Sequence, residues 1–84
     1  MVKLDSFSIN ILRKMYFYRY IGGKHTSIDN LQKSVPKHER GNVSEAIKVL
    51  VKSNLVILKS TGYGKHCSLN PKMIYEIERW IDFL

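Results

Sequence analysis

Between residues 37 and 72 the chain sets seven basic side chains, Lys37, Arg40, Lys48, Lys52, Lys59, Lys65 and Lys72, against two acids, Glu39 and Glu45. The chemistry this permits is electrostatic. Cations gathered along one segment attract a polyanion through Coulomb force and counterion release, without making or breaking a bond. The excess is local: residues 73–84 hold Arg79 against Glu76, Glu78 and Asp82. Over all 84 residues, 14 Lys and Arg face seven acids, for a net charge of +7 and an isoelectric point near 9.7.

Bond-making chemistry finds little support. There is no Gly-rich phosphate loop, no nucleophile elbow and no His-Glu-x-x-His run, and the acids and histidines form no visible constellation. Cys67 and the scattered His25, His38 and His66 match no zinc spacing, so neither metal nor cofactor is expected. A single cysteine excludes an internal disulfide and fits a reducing cytoplasm. No apolar run approaches the roughly 20 residues of a membrane span. The opening MVKLDSFSINILRKM has no continuous apolar region of the signal-peptide kind. With 44% hydrophobic and 25% charged residues, the composition is that of one small globular domain over residues 1–84.

The elements that must position these cations are legible from periodicity and punctuation. A first helix is expected over residues 5–21, capped by Asp5 or Ser6 and ended by Gly22-Gly23. Phe7, Ile11, Met15 and Tyr18 mark one apolar face; Ile9, Leu12, Tyr16 and Tyr20 mark a second. A second helix of about two turns is expected within residues 26–35, opened by a capping box at Thr26-Ser-Ile-Asp29 and closed by Pro36. Ile28, Leu31 and Val35 should face inward.

A third helix is expected over residues 39–53. Val43, Ala46, Ile47 and Leu50 give an i, i+3, i+4, i+7 stripe, and Asn42, Ser44, Glu45, Lys48 and Lys52 lie opposite. Asn54 stands where a left-handed C-cap belongs. A hairpin is expected over residues 55–70, turning at STGYGK, with Val56, Leu58, Cys67 and Leu69 facing the core. A brief extra strand near residues 23–25 can pair with it. Asn70-Pro71 then signals a last helix over residues 71–83, with Ile74, Ile77, Ile81 and Leu84 as its stripe. The predicted fold is mainly α with a small β-hairpin (α+β), ordered helix-helix-helix-strand-strand-helix.

The run NVSEAIKVLVKSNLVILKSTGYGKHCSLN resembles the second half of a winged helix-turn-helix domain. Val43-Ser44, Leu50, Asn54-Leu55-Val56 and the hairpin fall at suitable spacings, and TSIDNLQKSV resembles the preceding helix. The chain resembles MarR-like and ArsR-like winged helices in miniature. The pattern departs from that superfamily in the long SVPKHERGN connection and in Asn54, where glycine is frequent.

The resemblance implies sequence-specific binding of double-stranded DNA by a transcriptional regulator. The third helix would enter the major groove, presenting Asn42, Ser44, Glu45, Lys48 and Lys52, with Lys37, His38 and Arg40 just ahead of it. The hairpin becomes a wing whose tip, Tyr63, Lys65 and His66, would meet flanking backbone or the minor groove. The aromatic residues Tyr75, Trp80 and Phe83, with the two apolar faces of the first helix, point to a homodimer through the first and last helices. Such a dimer would read half-sites about one helical turn apart. Two alternatives use the same surfaces: a protein–protein adaptor, and an RNA-binding module, for which no RNP-like or Gly-x-x-Gly signature is visible.

Overall fold

The computed structural model of the chain describes residues 3–62 and 64–81. The described residues form an α+β fold of four helices and a three-stranded antiparallel sheet. In chain order the elements are α1 Ser6–Phe17, β1 Thr26–Ser27, α2 Ile28–Lys33, α3 Arg40–Lys52, β2 Val56–Thr61, β3 Gly64–Leu69 and α4 Ile74–Trp80. Single 3₁₀ turns, Lys37–Glu39 and Pro71–Met73, lead into α3 and α4. None of the described helices is long and apolar enough to cross a membrane.

α3 packs on both α1 and α2 and continues into β2. Its Val43, Ala46, Ile47 and Leu50 are all buried, as the stripe predicts, against Ile11, Leu12 and Met15 of α1 and Leu31 of α2 in one cluster. Ile77 of α4 and Ile81 just beyond it close the same core. The helix ends as Asn54 suggests. That residue takes φ +66°, Leu55 N–H bonds Leu50 O at 3.0 Å, and Asn54 N–H bonds Val51 O at 3.0 Å. This is a Schellman closure, which satisfies carbonyls that the helix end would otherwise leave bare.

α1 ends at Phe17, four residues short of the expected end at residue 21, which corrects that boundary. Arg19, not a glycine, adopts the left-handed conformation at φ +62°. Tyr20 N–H then bonds Met15 O at 2.9 Å, and Arg19 N–H bonds Tyr16 O at 3.1 Å. The strain of a side chain at positive φ is offset by the pairing of the next residues with the sheet. Residues 20–22 run beside β3, with Leu69 N–H on Tyr20 O at 2.7 Å and Gly22 N–H on Leu69 O at 3.0 Å. Gly22 serves that passage: its φ is +61°, and a Cβ there would lie 3.4 Å from Pro71 Cγ.

The start of α2 also shifts by one residue. Ser27, rather than Thr26, is the N-cap, its hydroxyl accepting from Asn30 N–H at 3.0 Å. Thr26 belongs to β1 and pairs with Cys67, so the extra strand lies at residues 26–27 rather than 23–25. Asp29 takes no part in a capping box; it pairs with Lys33 at 3.5 Å on the exposed side of the helix.

The sheet order β1-β3-β2 makes β3 central. Cys67, Ser68 and Leu69 are all buried there. Leu58 stands directly across from Cys67 on the same face, yet it is 41% exposed and does not join the core. β2 is an edge strand, so Leu58 has a neighbour on one side only, while Cys67 is flanked by Leu58 and Thr26. Burial lifts the Cys67 thiol pKa to about 11.

Asn70-Pro71 opens a 3₁₀ turn, Pro71–Met73, at the expected start of the last helix, and regular α4 begins three residues later at Ile74. The buried Asn70 accepts from Lys72 N–H at 3.1 Å and donates to Asn54 O at 3.0 Å, tying the end of α3 to the start of α4. α4 then reaches α1 of its own chain. The Tyr16 hydroxyl donates to Glu78 Oε2, and Arg13 donates to Ile81 O at 3.3 Å. The second apolar face of α1 therefore packs within the same chain. Tyr18, expected on the inner face, is instead 57% exposed, because it caps the helix after the last buried turn. Phe83 and Leu84 lie outside the described residues.

Candidate nucleic-acid interface

With its apolar stripe turned inward, α3 presents the remaining side to solvent. Arg40, Asn42, Glu45, Lys48 and Lys52 are all exposed, and Lys37 and His38 are exposed in the 3₁₀ turn ahead of them. Asn42, Glu45, Lys48 and Lys52 recur every three or four residues, forming one outer stripe opposite the core. The turn Lys37–Glu39 takes up much of the SVPKHERGN connection and brings Lys37 and His38 to the head of the helix. No side chain caps that end.

Two details alter the expected reading of this face. Glu45 is paired with Lys48 at 3.4 Å, so its charge is partly neutralised by the cation one turn on. Both side chains are about three-quarters exposed, and an exposed pair of this kind is weak enough to open for a better partner. Ser44 differs from its neighbours. Gln32 of α2 donates to Ser44 Oγ at 3.2 Å and to Arg40 O at 3.3 Å. Ser44 is only half-exposed. Gln32 fixes the first turn of α3 relative to α2. Nothing in its sequence position signals this, because the contact exists only once α2 packs on α3.

The hairpin places its residues less uniformly. Lys65 is exposed across from Ser60, near the turn, where Thr61 pairs with Gly64. Tyr63 lies outside the described residues. His66 does not belong to the tip. Its Nδ1 lies 2.8 Å from His25 Nδ1, with the rings edge-on at 4.8 Å between centroids. His25 precedes β1 and reaches His66 diagonally on the same sheet face, and Lys59 of β2 stands directly across. One ring must offer a bare nitrogen to the proton of the other. His66 thus fastens β3 to the segment before β1, a pairing across 41 residues that sequence spacing does not reveal.

The eleven expected site residues therefore separate into four groups. Lys37, His38, Arg40, Asn42, Glu45, Lys48 and Lys52 share α3 and its leading turn, and Lys65 stands alone on the hairpin. Ser44 and His66 are drawn into contacts within the fold, and Tyr63 is undescribed. Among the described residues no group of three or more His, Cys, Asp or Glu could hold a metal ion. Comparison with protein-family profiles, with curated proteins and with solved structures returned no match.

Proposed function

We propose that the chain is a winged helix-turn-helix protein that binds double-stranded DNA in a sequence-specific manner and regulates transcription. The observation that carries this reading is the outer side of α3, where four exposed cations, Lys37, Arg40, Lys48 and Lys52, accompany Asn42 on a helix anchored by its buried stripe. A helix is the element that fits a major groove, and amide and guanidinium groups are the side chains that read base edges there. Phosphates would take Lys37, Lys48 and Lys52. The hairpin supports the reading as a wing that offers Lys65 to flanking phosphates.

Pairing of two copies through α1 and α4 belongs to the same proposal. Tyr75, 81% exposed on α4, supports it. The second face of α1 adds less than its sequence promised, since α4 of the same chain already reaches it. The adaptor reading draws on a separate observation: Val49 at the outer side of α3 and Ile57 on β2 are each 43% exposed. Apolar side chains there suit a protein partner.

Selection from a random duplex pool tests the proposal directly. Enrichment of a common sequence, with affinity that falls steeply with salt, is the expected result. A duplex affinity that is undetectable at low salt, with capture of a protein partner insensitive to salt, would transfer the same surface to the adaptor reading.

A further inference from the structure

The end of α1 carries a second surface that the duplex-binding face does not use. Phe17 is 75% exposed and Tyr18 57% exposed, both unusual for large aromatic side chains on a domain this small. Their rings meet edge-on at 5.2 Å between centroids, and Tyr18 lies 6.0 Å from Tyr20, so the three form a run. Tyr18 and Tyr20 also wall a hollow of about 320 Å³ against α2, with Lys14, Asn30, Lys33 and Ser34 on its other sides. That volume lies at the small end of the roughly 300–1,000 Å³ of ligand sites.

The charge around these rings is mostly positive. Residues 13–33 hold Arg13, Lys14, Arg19, Lys24 and Lys33 against Asp29 alone. Lys24 sits 5.8 Å over the Tyr20 ring and Arg19 5.9 Å over the Tyr16 ring. Glu78, bonded to Tyr16, is the acid that reaches this region from α4. The Asp29–Lys33 pair is exposed on both sides and leaves Lys33 able to turn to another anion. Apolar contact with a second copy would not call for so many cations around its rings. A chain of phosphates carrying flat bases does.

We infer that this surface binds an unpaired strand of DNA. Bases stack on Phe17 and Tyr18, one base enters the hollow beside Tyr20, and Lys14, Arg19, Lys24 and Lys33 take the phosphates. Aromatic rings interleaved with cations are the physical pattern by which single strands are held without sequence preference. Stacking of successive base pairs hides the flat faces of bases in a duplex, so this surface discriminates against the partner of α3. The choice of DNA over RNA rests on the proposed function. α2 supports it by joining the two surfaces, with Gln32 bonded to α3 and Asn30, Lys33 and Ser34 lining the hollow.

The test uses the full chain, a fluorescein-labelled oligothymidylate, its uridylate counterpart and a labelled duplex. Tyr18→Ala should weaken oligothymidylate binding by about 5- to 150-fold, the range for loss of one stacking ring. Tyr18→Phe should retain it, and Lys48→Ala should leave it unchanged while weakening the duplex. Both tyrosine variants alter an exposed side chain, so the fold is kept, and circular dichroism checks this. Single-strand affinity unchanged in both Tyr18→Ala and Phe17→Ala would overturn the inference, as would tighter binding of the uridylate. So would a self-association abolished by Phe17→Ala with no change in single-strand binding. Failure of Lys48→Ala to weaken the duplex would instead strike the proposed function, which keeps the two failures apart.

Discussion

Lys65 offers the sharpest test of how the duplex is held. The five exposed cations assigned to the duplex, Lys37, Arg40, Lys48, Lys52 and Lys65, lie along α3, its leading turn and the hairpin. If each neutralises one phosphate, the logarithm of affinity should fall with the logarithm of salt at a slope of about −4.5. Between about 50 and 200 mM salt that slope removes affinity by about 500-fold. Lys65→Ala deletes one contact and leaves α3 untouched, since Lys65 is exposed and lies near the turn, away from the core. The slope should shorten to about −3.6 and the loss over the same interval to about 150-fold. Fluorescence anisotropy with a short labelled duplex across a salt series measures both. A slope that is identical in the two proteins would remove the hairpin from the interface. A slope shallower than about −2 in the unaltered protein would leave too few phosphate contacts for the α3 face as well.

Other expectations concern stability and association. Asn70→Ala removes both the cap on Lys72 N–H and the bond to Asn54 O, and should cost about 1–3 kcal/mol in denaturant unfolding. Gly22→Ala places a side chain at φ +61° beside Pro71 and should cost about 1–2 kcal/mol, read as a fall in melting temperature of about 4–16 °C. Cys67 keeps its proton in the folded state to about pH 11, whereas the unfolded thiol loses it near 9.0. Its contribution to stability is thus intact below pH 9 and is lost as pH rises toward 11, so stability should decline across that window less steeply in Cys67→Ala. Native Cys67 should also resist alkylation at pH 8 until the chain unfolds. Light scattering at micromolar concentration should give twice the 9.8 kDa chain mass. A monomer mass unchanged by dilution would rule out the dimer.

Much of this protein is fixed by short-range information. The buried stripe of α3, the left-handed Asn54 and the Asn70 cap all depend on residues within a few positions of one another, where helix periodicity and backbone sterics act directly. The basic balance of residues 37–72 is likewise a property of the chain as written, and so is the outward exposure of Lys48 opposite Leu50. Tertiary structure decided what depends on distant neighbours. α1 ends at Phe17, and Arg19 turns left-handed, because residues 20–22 must run beside β3, a demand that Gly22-Gly23 could not announce. Leu58 alternates correctly but lies on an edge strand, where alternation says which face and not how deep. Ser44 and His66 carry suitable groups for DNA, yet Gln32 and His25 reach them first once the helices and sheet pack. Sequence pattern sets which side of an element is polar. Only packing decides which of those polar groups still faces solvent, because hydrogen bonds between remote segments form after the chain has closed on itself.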